Sequence, residues 1–313
     1  MDKYAIIIGV GGAGGHALQY IYKHLIYKDE VDFLAINLHK SDLERLEIPS
    51  TSKLAIADTA PVRANCLESR RELALEKADI IKAKFTSNRY KLAFIIAGMG
   101  GVTGMGAAPA IAEICKNTGI YTIAICSLPA SFEDPRKQIA AIDGFSSLKK
   151  AVNNIAVFSN DDIFLSDPSL TIADVFQISD KTFYLPIEVI LSMMLPPQSV
   201  INFDYHDLIM TLKRAQTAMF ASGKGNGEKK ITQAVENLKT SLYLVNRPIA
   251  EAKTLMFSIF YKELFVYELE EFMSFMDLLS KNIEVLWGQY LDSTLQPDEV
   301  KVSVILTGDE GFP

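Results

Sequence analysis

Residues 95–117, IIAGMGGVTGMGAAPAIAEICKN, place five glycines in the nine positions 98–106, between an apolar run and a helix-like run. Glycine costs roughly 0.5–1 kcal/mol per position relative to alanine inside a regular element. A loop this rich in it therefore serves tight turning, or close approach of backbone N–H groups to a ligand. The surrounding chain bears on which.

Upstream, YAIIIGV (4–10) is a continuous apolar run ended by glycines, as expected of a strand buried on both faces. GHALQYIYKHLI (15–26) has helical spacing, while DFLAIN (32–37) and KLAIAD (53–58) read as strands and CLESRRELALEKADIIKAKF (66–85) as one helix. KLAFIIAG (91–98), YTIAICSLP (121–129) and NIAVFSN (154–160) add strands, separated by helices over 106–119 and 135–151. Strands alternating with helices predict an α/β fold: a Rossmann-like parallel sheet with helices on both faces, over residues 1–172. Ligands of such sheets sit at the carboxyl ends of the strands, where the glycine loops of this chain fall. A long central helix is expected over 173–195 and a second, smaller α/β domain over 196–313. That domain includes a turn at GKGNG (223–227) and strands at TLMFSIF (254–260) and EVKVSVILTG (299–308).

With 313 residues, 49% of them hydrophobic and 22% charged, the chain can bury a large core in two lobes. A net charge of −7 disfavours nucleic-acid partners, because a phosphate backbone rewards Lys and Arg. Cys66, Cys115 and Cys126 form no Cys-x-x-Cys pair, which points to a reducing cytoplasm without a disulfide framework. His16, His24, His39 and His206 show no metal-ligand spacing, and no metal site built from protein side chains is expected. The apolar stretch at the start is too short for a signal peptide. TLMFSIFYKELFVYELEEFMSFMDLL (254–279) is interrupted by Lys262, Glu263, Glu268, Glu270 and Glu271, so it reads as an amphipathic buried helix rather than a membrane span.

A second glycine loop, GVGGAGGHA (9–17), joins the first strand to its helix and fits G-x-G-x-x-G at Gly9, Gly11 and Gly14. The dinucleotide reading also needs an acidic residue at the end of the second strand, about 20 residues on. Leu38 and His39 stand there, so a dehydrogenase is disfavoured. By itself this loop is open between a nucleotide cradle and a tight turn. Two such loops at one sheet edge favour an anion site, since helix N-termini and successive N–H groups bind phosphate. Neither loop contains lysine, so neutralisation is expected from the backbone and a metal ion.

AGMGGVTGMGAAPAIAEI (97–114) resembles the signature loop of the tubulin/FtsZ superfamily, Gly-Gly-Gly-Thr-Gly-Thr-Gly followed by Ala-Ala-Pro. IIIGVGGAGG (6–15) resembles the first glycine loop of that family, and AIN (35–37) the end of its second strand. LPASFEDPRKQ (128–138) resembles its ribose-proximal Pro-x-x-Phe-Glu segment, and SNDDIF (159–164) its Asn-Asp strand end. VINFDYHDLIMTLK (200–213) resembles the synergy loop, Asn-x-Asp-x-x-Asp. The order holds over essentially the whole chain.

The resemblance implies a cytoplasmic GTPase that uses GTP/GDP and Mg²⁺ and polymerises head to tail with itself. The synergy loop of one subunit, in the C-terminal GTPase-activating domain, would complete the site of the next. It implies that Gly11, Gly12, Ala13, Gly14 and Gly15, with Gly100, Gly101, Val102, Thr103, Gly104, Met105 and Gly106, cradle phosphates, Thr103 adding a hydroxyl. Asn37 and Asn65 would border the nucleotide, Pro129, Glu133 and Lys137 its ribose, and Asn160 its base. Phe176 would pack on guanine and Asp180 would read its N–H edge. Asn202, Asp204 and Asp207 would be the catalytic residues contributed in trans. Hydrolysis of a γ-phosphate needs an oriented water and charge stabilisation, which two carboxylates three positions apart can supply together. Read alone, Asp207 is better explained as a helix N-cap; the matched loop reverses that preference.

The departures cluster at the γ-phosphate end. Gly14-Gly15-His16 stands where the family has Gly-Asn-Asn, and Leu38-His39 where it has Thr-Asp. Arg63-Ala64-Asn65 is what remains of Gly-Ala-Gly-Ala-Asn-Pro, with Arg63 read more readily as a surface residue than as a phosphate contact. Val102 and Met105 replace a glycine and a threonine. Altered turnover or GTP sensing is therefore expected. The sequence stops at TGDEGFP (307–313), where division members continue into a linker and adaptor-binding peptide. This leads to the expectation of no direct membrane binding and of a plasmid, phage or other non-division role. The competing expectation is a non-hydrolysing nucleotide-binding protein that regulates or caps another filament.

Overall fold

In the computed structural model, the first apolar run becomes strand β1 (Ala5–Val10), buried at every position. Its β-branched Ile6, Ile7 and Ile8 suit a pleated surface packed on both sides. The structure describes residues 3–57, 67–86, 90–167, 169–195, 199–241, 243–244, 252–279 and 283–308. The chain divides into two units, Met1–Tyr184 and Leu185–Pro313.

In the first unit β1 leads to α1 (Gly11–His24), then β2 (Val31–Asn37), a short α2 (Lys40–Glu44) and β3 (Lys53–Ala55). Next come α3 (Leu67–Glu76), α4 (Ala78–Thr86), β4 (Leu92–Gly98) and α5 (Val102–Asn117). β5 (Tyr121–Leu128), α6 (Pro135–Ala151), β6 (Asn154–Ser159) and α7 (Asn160–Ser166) follow. The segment 66–85, expected as one helix, is divided between α3 and α4. The buried Arg70, Ala74, Ile81 and Phe85 keep helical spacing across the break, so both pieces present one face.

The six strands form a parallel sheet in the order β3-β2-β1-β4-β5-β6. That is the doubly wound order, and its direction reverses between β1 and β4. These two strands pair directly, Ala5 opposite Leu92 and Val10 opposite Ala97, so their carboxyl ends lie side by side. The two glycine loops leave from those ends.

The long helix α8 (Ile172–Met194) contains the point at which the chain passes from one unit to the other. The second unit continues with β7 (Ser199–Ile201), α9 (Tyr205–Leu212), β8 (Ala218–Asn226), α10 (Lys230–Leu238), β9 (Ala252–Tyr261), α11 (Val266–Leu279), β10 (Glu284–Leu291) and β11 (Glu299–Gly308). Its sheet has the order β7-β10-β9-β11-β8, parallel only between β10 and β9. Two expectations are corrected here. The run 254–279 is a strand followed by a helix: β9 is buried along almost its whole length between β10 and β11, and the charges at 262–263 mark the exposed turn. Residues 223–226 of GKGNG are the end of β8, and only Gly227, with φ +69°, begins a turn. Gly223 and Gly225 lie on one face, where a Cβ would collide with backbone carbonyls of α10, so the glycines admit a close helix–strand contact. Among the described residues, no helix is long and apolar enough to cross a membrane.

Candidate nucleotide-binding site

Helices α1 and α5 begin at the adjacent ends of β1 and β4, and neither has a side-chain cap. Val10 precedes α1 and Gly101 precedes α5; neither side chain closes the first turn, and neither first turn contains an acidic residue. The first backbone N–H groups of a helix need partners, and its N-terminus carries about half a positive charge. Two such termini at one point of the sheet form an acceptor for an anion.

The glycines around them do two different jobs. Gly11 has φ +74°, the left-handed turn that takes the chain from strand into helix. Gly14 and Gly104 are packing glycines: a Cβ at Gly14 would strike the Ile96 carbonyl, and one at Gly104 would lie 2.5 Å from the Gly98 carbonyl oxygen. Gly12 and Gly101 instead face open space, with nothing within 4 Å of an added Cβ. Tight turning and close packing are therefore seen at Gly11, Gly14 and Gly104, while Gly12 and Gly101 leave their backbone open.

The open side is a cleft of about 480 Å³ lined by Val10, Gly12, Ala13, Leu38, Arg70, Gly98, Gly100, Gly101, Val102, Thr103, Gly104, Ser127, Pro129, Glu133 and Asn160. A second cavity of about 400 Å³ is lined by Gly11, Gly12, Gly15, His16, Asn37, Asp42, Arg45, Leu46 and Thr103. Gly12 and Thr103 border both, so the cavities adjoin at the glycine loops. Each volume is in the range of small-molecule sites.

Polar groups are fixed around this space. Glu133 accepts from the Ala130 N–H at 3.0 Å and pairs with Lys137 at 3.4 Å. The Ser131 N–H and hydroxyl both donate to Asp161, at 2.8 and 3.0 Å, tying the 129–133 loop to α7. Asn37 is buried and accepts from the Leu38 N–H at 2.8 Å. The Asn160 Oδ1 is buried with no hydrogen-bond partner among the described residues, an acceptor suited to a ligand donor. Burial pushes the Asp180 carboxyl up to about 6, opposed by the nearby His16, which itself lines the second cavity.

Of the residues expected here, Gly11, Gly12, Ala13, Gly15, Asn37, Gly100, Gly101, Val102, Thr103, Gly104, Pro129, Glu133 and Asn160 line one cavity or both. Gly14 is buried beneath them. Met105 is turned away, packing where α6 passes at Gly144, and Gly106 faces Arg70 on α3. Lys137 reaches the region through Glu133. Phe176, 67% exposed in the first part of α8, presents a free ring. Asn65 lies outside the described residues. Sequence reasoning missed Arg70, Arg45 and Asp42 as lining residues. His16 stood out only as a departure.

Asn202, Asp204 and Asp207 belong to the second unit. Phe203 is buried; its N–H donates to the Tyr290 hydroxyl at 3.3 Å, while Asn202 and Asp204 on either side are exposed. Asp204, not Asp207, is the N-cap of α9. Its carboxylate accepts from the Asp207 N–H at 2.8 Å, and Asp207 accepts from the Asp204 N–H at 2.9 Å, a reciprocal capping box.

The Tubulin/FtsZ family, GTPase domain, matches residues 4–166. A cell division protein FtsZ of Aquifex aeolicus (strain VF5) is 34% identical over 96% of this chain and 82% of its own length. One of Porphyromonas gingivalis (strain ATCC BAA-308 / W83) is 30% identical over 96% of this chain and 66% of its own. An empty FtsZ dimer of M. jannaschii superposes with a TM-score of 0.81 at 25% identity, over 98% of this chain and 89% of that one. With the doubly wound sheet, the paired glycine loops and a match that runs almost the length of the chain, this protein belongs to the Tubulin/FtsZ family, and residues 4–166 are its GTPase domain.

Proposed function

We propose that the cleft binds GTP, that copies of the chain assemble head to tail in the cytoplasm, and that Asn202, Asp204 and Asp207 of one copy complete the site of the next. The observation that carries this reading is the meeting of two uncapped helix N-termini over one cleft, beside an Asn160 acceptor that has no partner among the described residues. Residues 1–172 then act as the GTP-binding domain, 173–195 as the connecting helix and 196–313 as the activating domain.

In this reading the N–H groups of the two loops hold the phosphates and the Thr103 hydroxyl adds a donor. Glu133 faces the ribose. Asn160 and Asp180 meet the base, and the exposed Phe176 ring stacks on it. Asp204 and Asp207 polarise and orient the attacking water, so the protein contributes placement and charge rather than a covalent intermediate. No group of three His, Cys, Asp or Glu able to hold a metal occurs among the described residues. That donor set fits Mg²⁺ carried in on substrate phosphates with few protein ligands, such as the Thr103 hydroxyl. When bound, Mg²⁺ supplies charge neutralisation at the phosphate oxygens.

The test is GTP turnover as a function of protein concentration, with light scattering recorded in GTP, GDP and no nucleotide. A site completed in trans gives specific activity that rises with concentration, together with GTP-dependent scattering. Constant specific activity overturns completion in trans. GTP binding without turnover supports instead a non-hydrolysing regulator of another filament.

A further inference from the structure

We infer that Arg70 supplies a positive charge to the phosphate end of the cleft. This rests on the reading of the cleft as a GTP site and adds a side chain that neutralises the ligand. A nucleoside triphosphate carries several full negative charges, whereas each helix terminus offers about half a positive one. Neither glycine loop contains Lys or Arg, so the loops leave most of that charge uncompensated.

Arg70 meets the need by position. It is 5% exposed, sits on α3, and lines the cleft together with Gly100, Thr103 and Gly104. Its neighbour Arg71 does not line the cleft and donates to both oxygens of Glu113 at 3.0 and 2.8 Å. The last glycine of the loop explains how Arg70 reaches the cleft. A Cβ at Gly106 would lie 2.5 Å from the Leu67 carbonyl oxygen and 2.6 Å from the Arg70 Cβ. Glycine at 106 thus lets α3 close on α5 and brings the arginine stem down beside the helix whose N-terminus faces the ligand. A guanidinium stays charged in such a place, and its planar fork suits two phosphate oxygens at once.

The experiment compares wild type, Arg70→Met and Arg70→Lys of the full chain for equilibrium binding of GTP, GDP and guanosine, alongside thermal unfolding without nucleotide. Arg70→Met should weaken GTP and GDP by at least about tenfold and leave guanosine within about twofold; Arg70→Lys, which keeps the charge but loses the fork, should fall between wild type and Arg70→Met on GTP and GDP. Equal loss on guanosine and GTP, or no loss on GTP, overturns the inference and makes Arg70 a brace between α3 and α5. If Arg70→Met does not fold, Arg70→Gln takes its place, and instability of all three variants likewise assigns the brace. A wild-type protein that fails to bind GTP refutes the reading of the cleft itself, a separate outcome.

Discussion

Helices α1 and α5 start bare, whereas α9 starts with its cap closed on both sides. A side-chain cap is worth about 1 kcal/mol, so bare termini forgo stability and keep N–H groups available. At α9, Asp204 and Asp207 spend one carboxylate oxygen each on the other's backbone N–H, yet Asp204 remains exposed. The first arrangement leaves backbone N–H groups without a side-chain partner. The second is a finished structural device that can also present charge. The contrast separates residues whose role needs a ligand from those whose local role is already satisfied, and substitutions can force it apart.

The largest effect is expected at Gly101, the residue before α5. It is extended, with φ −118° and ψ 136°, and faces open space, so a β-branched side chain fits the fold while filling the cleft. Gly101→Val should keep a native circular dichroism spectrum and weaken GTP at least about 100-fold, which is about 2.7 kcal/mol. Gly104→Val makes the opposite point, because its Cβ would meet the Gly98 carbonyl: it should lower thermal stability by about 1–3 kcal/mol through overpacking. If Gly101→Val binds GTP normally, the bare terminus of α5 is not a ligand site.

At α9 the cap and the chemistry can be uncoupled. Asparagine caps as well as aspartate but carries no charge. Asp204→Asn should keep the melting temperature and cut GTP turnover at least about tenfold, about 1.4 kcal/mol of transition-state stabilisation. Asp204→Ala should lose turnover and about 1 kcal/mol of stability as well. Turnover that survives in Asp204→Asn would reduce Asp204 to a cap.

A smaller effect tests the base end through pH. The Asp180 carboxyl in the free protein is pushed up to about 6 by burial, above its ordinary value. Only the ionised form accepts from the guanine N–H donors, so affinity is full above that value and is lost as pH falls through it. GTP affinity should drop about fourfold between about pH 7 and about pH 5.5, and Asp180→Asn should flatten that part of the profile, the nucleotide's own titration being common to both proteins. The raised value also means that the folded protein holds this proton more tightly than the unfolded chain. Stability from this group therefore declines as pH rises from the ordinary carboxylate range to about 6, the reverse of a salt-bridged aspartate. Superimposable pH profiles for the two proteins would remove Asp180 from the base site.

The smallest effect is a control on a capped helix. Asp134 accepts from the Arg136 N–H at 2.9 Å to start α6. Asp134→Ala should cost about 1 kcal/mol of stability, read by denaturant titration, with GTP affinity within about twofold. A large loss of affinity there would mean that caps and site are not separable.

Local signals carried much of this protein. The apolar runs at 4–10, 91–98 and 121–129 and the helix expected over 135–151 are short-range patterns, and each marks an element where one is found. The two glycine loops were legible as strand-to-helix junctions for the same reason. What a glycine is for was not legible. Gly104 and Gly101 stand three positions apart in one loop, yet one packs against a carbonyl and the other faces the cleft. Gly223 and Gly225 read as a turn and prove to be strand positions under a helix, because the neighbour that demands glycine comes from α10.

The sequence by itself determined the alternation of strands and helices, the parallel sheet it implies, and the residue types at the loops, because side-chain periodicity and backbone freedom act over a few positions. Only the tertiary structure decided that β1 and β4 are neighbours, that their two bare helices share one cleft, that Gly106 lets Arg70 into it, and that His16 lies near Asp180. These depend on strand order and helix packing between segments tens of residues apart, and no local pattern encodes which distant surfaces will bury each other.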